Sequence, residues 1–166
     1  MKAHTRFVSV ATVILALMVV ISLTGCGGPK TYTDTKYKFS LEYPSSISID
    51  SGNLTTSTEA VHLTSNDYDA RVNVFDAGSE SLLGLEEFEK TSITSDTDKT
   101  NIKDQATTMG GQPAMQISYN SGDSDTDQVL FTIKDGKEYE LDVSGSTDSP
   151  KASNPFEKMK ASFKFL

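Results

Sequence analysis

Lys134-Asp135-Gly136-Lys137 is the stretch that most restricts the fold. Val129, Phe131 and Ile133 recur at every second position as they approach it, and Tyr139, Leu141 and Val143 do the same as they leave. That period marks half-buried strands. An Asp-Gly pair between two such strands closes a tight hairpin, because Gly takes positive φ without strain and Asp tolerates it better than most residues. An antiparallel strand pair is thus built into the last third of the chain, and the rest must extend or cover it.

The same period recurs upstream. Tyr37-Lys38-Phe39-Ser40-Leu41-Glu42-Tyr43 alternates without exception and Pro44 ends it, with Ile47 and Ile49 suggesting a short continuation. Asp50-Ser51-Gly52-Asn53 is a turn. Val61 and Leu63 alternate with His62 and Thr64, Asn66 to Ala70 is a turn, and Arg71 to Phe75 is the hairpin partner. Gly110-Gly111 turns the chain before Met115, Ile117 and Tyr119, and Ser121 to Asp127 is a loop tip. Ser95 to Lys103 is polar and reads as a loop leading into a strand, and Gly145 to Ser153 reads as a loop.

Two segments switch to helical spacing. Leu82, Leu85, Phe88 and Ile93 predict an amphipathic helix that starts between Ser81 and Leu85, with Glu86, Glu87 and Glu89 turned to solvent. Asn154-Pro155-Phe156-Glu157 combines an N-cap, a proline at the first helical position and a glutamate three residues after the cap, which predicts a short helix to about Ala161. Phe163 and Phe165 then suggest a last strand. Many strands joined by hairpins and two helices make an α+β domain: an antiparallel β-sheet covered by helices.

The N-terminus has a different character. Lys2 and Arg6 precede Phe7 to Leu23, a run broken only by Ser9, Thr12 and Ser22, which has the features of a bilayer-seeking signal. Leu23-Thr24-Gly25-Cys26 resembles the bacterial lipobox at all four positions. The resemblance implies diacylglyceryl transfer to the Cys26 thiol, cleavage between Gly25 and Cys26, and a palmitate-type acyl anchor in the membrane. A thiolate is the competent nucleophile for accepting the lipid. The chain then divides into a signal peptide (1–25), the lipidated cysteine with a short polar linker (26–31) and a globular domain (32–166).

Composition sets limits on that domain. The whole chain has a formal net charge of −8, which becomes −10 once Lys2 and Arg6 leave with residues 1–25. So acidic a domain has no electrostatic footprint for nucleic acid and is repelled by anionic lipid heads, leaving the acyl chains as its membrane contact. Cys26 is the single cysteine, so neither a disulfide nor a zinc-thiolate site is open to the domain.

A set of short motifs, in order, points to a family. It comprises Tyr37-x-Phe39-Ser40-Leu41-x-Tyr43-Pro44, the segment Leu85-Glu86-Glu87-Phe88, and Gly111-x-Pro113-Ala114. Gly136-x-x-Tyr139-x-Leu141 and Phe156-x-x-Met159-x-x-Ser162-Phe163 complete it. Together they resemble the PsbP-like family over residues 37–165. The resemblance implies an αβα sandwich, a fold shared with a nuclear Ran-binding import factor, and a group that includes many bacterial lipoproteins. The family places a tryptophan soon after the Tyr-Pro pair; here Ser45-Ser46-Ile47 follows, and Ile47 stands where it would fill that packing role. The metal-associated positions of the photosynthetic members do not map onto this chain, so their activity is not carried over.

Candidate chemistry is sparse. Asp123-x-Asp125-x-Asp127 matches the first three ligand positions of a calcium loop, but Gln128 replaces the required Gly and Lys134 the bidentate Glu. His62, the one histidine after the signal, reads as an exposed or edge residue, and no Gly-x-Ser-x-Gly elbow accompanies it. Glu138, Glu140 and Asp142 alternate with apolar residues and read as a solvated strand face. The expectation is a lipid-anchored domain on the extracytoplasmic face of the cell membrane, without enzymatic activity or cofactor, serving as an accessory or protein-binding lipoprotein of the cell envelope. The alternative is a lipoprotein that binds a small ligand or a cation.

Overall fold

A computed structural model describes residues 27–50, 58–122, 125–146 and 155–166. The signal peptide, Gly25, Cys26, most of the turn at Asp50–Asn53, Asp123 and the cap at Asn154 lie outside the described residues. Five strands come first: β1 (Lys30–Asp34), β2 (Phe39–Tyr43), β3 (Ser48–Ile49), β4 (Glu59–Thr64) and β5 (Tyr68–Asp76). Helix α1 (Leu82–Ser95) follows, then β6 (Lys99–Met109), β7 (Gln112–Ser121), β8 (Asp125–Lys134) and β9 (Lys137–Ser146). Helix α2 (Phe156–Ser162) and β10 (Lys164–Phe165) end the chain.

The strands form two antiparallel sheets. The larger has seven strands in the order β3-β4-β5-β9-β8-β7-β6, and the smaller has the order β1-β2-β10. The β8–β9 hairpin at its centre turns on Asp135 and Gly136, both with positive φ (51° and 74°), the conformation that Asp-Gly favours. β6 and β7 close in the same way on Gly110 and Gly111 (57° and 82°).

One face of the large sheet packs on the small sheet and α2. Phe39 and Leu41 from β2, Leu63, Val72, Leu141 and Leu130 from the large sheet, and Phe156 and Met159 from α2 are buried here. Alternation puts these side chains on one side of each strand, and fully burying each large one contributes roughly 1.5–3 kcal/mol. Phe39 and Phe163 stack with ring centres 5.2 Å apart, and the Tyr139 hydroxyl donates to the Tyr37 carbonyl at 2.9 Å. Ile47 is buried in this core, in the packing role expected of it. The opposite face carries a smaller core beneath α1, made of Leu85, Ile93, Ile117, Val129 and Phe131. The layers are therefore α1, the large sheet, then the small sheet with α2: the α+β, αβα arrangement expected from the sequence.

Three local expectations are corrected. β1 begins at Lys30 and pairs with β2 along its whole length, Lys30 opposite Tyr43, so the ordered sheet reaches into the expected linker. β6 occupies the second half of the expected loop; as an edge strand with mostly exposed side chains it needs no apolar alternation. On α1, capped by Ser81 whose hydroxyl accepts from the Gly84 N–H, Leu85 and Ile93 face the core but Phe88 is 68% exposed. Its place in the inward row, three to four residues apart, is taken by Glu89.

Candidate functional site

The polar residues of β9 gather on one face. Tyr139, Leu141 and Val143 enter the main core, so Glu138, Glu140 and Asp142 project to the α1 side. Their neighbours follow from register: Glu138 lies between Phe75 and Ile133, Glu140 between Asn73 and Phe131, and Asp142 between Arg71 and Val129. This face is not a solvated surface. Glu138 is only 8% exposed, and Glu140 and Asp142 are half-buried.

Burial raises the pKa of all four carboxyls at this place. The Glu138 carboxyl rises to about 7, through burial first and then the charges of Glu140 and Glu89. Asp142 also rises to about 7, through burial, then Glu140 and Asp127, with Arg71 opposing. Glu140 is raised by burial and held back by the amide of Asn73, which donates to its Oε1 at 2.9 Å. Glu89 on α1 is raised by burial and by Glu140. The helix face expected to be solvated thus contributes a fourth carboxyl to the cluster.

His62 lies beside this face, opposite Arg71. It is buried, not exposed: Nε2 lies 2.7 Å from Asp69 Oδ2, and Nδ1 lies 3.6 Å from Glu59 Oε1. Asp69 uses its other oxygen for Arg71, whose Nε is 3.1 Å away. A His-Asp pair can orient a general base, but among the described residues no hydroxyl is hydrogen-bonded to His62. The pair joins β4 to β5 as part of a polar chain running toward Asp142.

The acidic loop is assembled differently from a calcium loop. Asp125 and Asp127 are in β8, in an extended backbone that cannot wrap a cation as successive loop ligands do. Asp125 is exposed. Asp127 is buried with Lys99 Nζ 4.0 Å from its Oδ2, and that ammonium also donates to Ser121 Oγ at 2.8 Å. Among the described residues no group of three or more His, Cys, Asp and Glu is arranged to hold a metal ion. Nor, among them, is any helix long and apolar enough to cross a membrane.

Solved structures share this fold. CyanoP, the cyanobacterial PsbP of Synechocystis sp. PCC 6803, matches with a TM-score of 0.63 at 23% identity, over 87% of this chain and 99% of its own. The Ran-binding protein Mog1p of Saccharomyces cerevisiae matches with a TM-score of 0.57 at 10% identity, over 84% and 96%. LpqN, involved in cell envelope biogenesis of Mycobacterium tuberculosis, matches with a TM-score of 0.50 at 12% identity, over 86% of each chain. No protein-family model matches the chain, and no curated protein sequence does. The domain has the PsbP-like fold, as the ordered motifs imply.

Proposed function

We propose that the protein is a lipoprotein, cleaved between Gly25 and Cys26 and held by acyl chains on Cys26 at the extracytoplasmic face of the cell membrane. Its PsbP-like domain acts there without catalysis, as an accessory that binds another envelope protein. The observation that carries the reading is the start of β1 at Lys30, in register with β2. From Cys26 to that strand the chain spans roughly 14 Å when extended, so a lipid on Cys26 would hold the domain against the bilayer surface. Two acyl chains, at about 0.8 kcal/mol per buried methylene, suffice for stable attachment. The fold is compatible with a binding role, since one protein that shares it is described as Ran-binding and another as involved in envelope biogenesis.

Cys26→Ser tests the anchor. The wild-type chain should incorporate labelled palmitate and fractionate with membranes, and the serine variant should stay unlabelled and unprocessed. Equal labelling of both would count against the reading. Affinity capture from detergent-solubilised membranes tests protein binding: a partner recovered reproducibly is expected, and repeated recovery of none would argue against it.

A second reading, binding of a small organic cation, draws on the carboxyls of Glu89, Glu138, Glu140 and Asp142 on one face. A thermal-shift series with polyamines decides it, since no rise in melting temperature at millimolar concentration removes it.

A further inference from the structure

The large sheet ends on two unlike edges. β3 has two residues, whereas β6 has eleven and, among the described residues, is paired on one side only, with β7. Lys103, Asp104, Gln105, Ala106 and Thr108 are exposed along it. The hairpin determines which main-chain groups of β6 face outward. Its two-residue turn at Gly110-Gly111 makes Met109 and Gln112 the closing, hydrogen-bonded pair. Antiparallel pairs alternate between bonded and non-bonded. Thr108 opposite Pro113 is then a non-bonded pair, the position at which a proline costs β6 nothing. Thr107 opposite Ala114 is bonded, whereas Ala106 opposite Met115 and Asp104 opposite Ile117 are not. The N–H and C=O of Asp104, Ala106 and Thr108 therefore point away from the sheet. Among the described residues, no main-chain hydrogen bond outside the strand ladders engages any of the three.

Open edges are usually shielded by bulges, prolines or lysines. The irregularity of β6 falls between Thr100 and Lys103, where Asn101 takes a φ of 53°. From Lys103 to Met109 the register is regular, and Lys103 is the one such device in that stretch.

We propose that the Lys103–Met109 edge docks an extended, basic segment of a partner protein, which adds to the large sheet as an eighth strand. Such β-augmentation supplies main-chain partners to Asp104, Ala106 and Thr108. The sign of the segment follows from the charge of the domain. Without residues 1–25 the chain carries a net charge of −10, which repels a second copy and attracts a cationic strand. The attraction is that of the whole domain, since Asp104 on the edge is already paired with Lys90, whose Nζ lies 3.1 Å from its Oδ1. The inference rests on the protein-binding reading and gives that reading its surface.

The probe is an end-capped ten-residue peptide of alternating lysine and valine, added to the full chain in detergent micelles. Hydrogen exchange should show new protection at the amides of Asp104, Ala106 and Thr108. The same peptide N-methylated at every amide has no N–H left for the Asp104, Ala106 and Thr108 carbonyls and should bind at least roughly tenfold more weakly. Ala106→Pro, which removes an outward N–H, should weaken the unmethylated peptide to a similar degree. A glutamate–valine peptide should bind less well than the lysine one. Absence of binding, protection away from β6, or equal affinity of the methylated peptide overturns the edge, and equal affinity of the acidic peptide overturns the basic partner. The methylated peptide tests the wild-type chain, so it does not depend on the folding of the proline variant. In capture from membranes, a partner recovered by the wild type and lost with Ala106→Pro supports both readings. Equal recovery by both chains overturns the β6 site and leaves protein binding standing.

Discussion

Asn73 Nδ2 donates to Glu140 Oε1 across 2.9 Å, and this bond opposes the burial that raises the pKa of that carboxyl. The carboxyls on either side along β9, Glu138 and Asp142, rise to about 7. Between the ordinary carboxylate range and about pH 7, the folded protein keeps protons that the unfolded chain has released. Stability therefore falls as pH rises through this window. It is greatest below the unfolded pKa values and is lost as pH passes through about 7. Melting temperature measured from pH 5 to pH 8 should decline, and Glu138→Gln combined with Asp142→Asn should flatten the decline. A melting temperature that climbs over that range would contradict the burial of these groups.

The two faces of α1 give a sharper test. Leu85 is 8% exposed and packs in the smaller core, whereas Phe88 is 68% exposed. Leu85→Ala should cost about 2–4 kcal/mol, a core truncation with its cavity. Phe88→Ala should stay within about 0.5 kcal/mol, as an ordinary surface change. Urea unfolding of both variants checks the difference, and a reversed order would mean that the helix packs on its other face.

Glycine positions separate backbone strain from collision. Gly136 has a φ of 74° and open space where a Cβ would stand. Gly136→Ala should cost about 1 kcal/mol, the penalty for a left-handed L-residue. At Gly110, φ is 57° and an added Cβ would come within 2.7 Å of the Phe165 ring. Gly110→Ala should add overpacking of about 1–3 kcal/mol to the same strain. Comparing their denaturation midpoints measures the contact of the β6–β7 turn with β10.

The sequence by itself determined those elements whose signal is local. The Asp135-Gly136 hairpin, the strand expected over Tyr37 to Tyr43 apart from the turn at Tyr37-Lys38, a helix starting between Ser81 and Leu85 and the core role of Ile47 follow from periodicity, turn chemistry or ordered motifs. The tertiary structure decided everything that depends on what lies opposite. Leu82, Leu85 and Ile93 are compatible with an inward row that includes either Phe88 or Glu89, and only the sheet beneath α1 selects Glu89. β1 and β6 are polar edge strands, defined by pairing with β2 and β7 and not by an apolar rhythm. His62 and the β9 carboxyls alternate with apolar residues in the same way whether water or protein covers them. Residues on other elements set their surroundings: Asp69 on β5 for His62, and Asn73 on β5 and Glu89 on α1 for Glu140. A strand's period fixes which side chains share a face, and the long-range pairing of strands and helix fixes what that face meets.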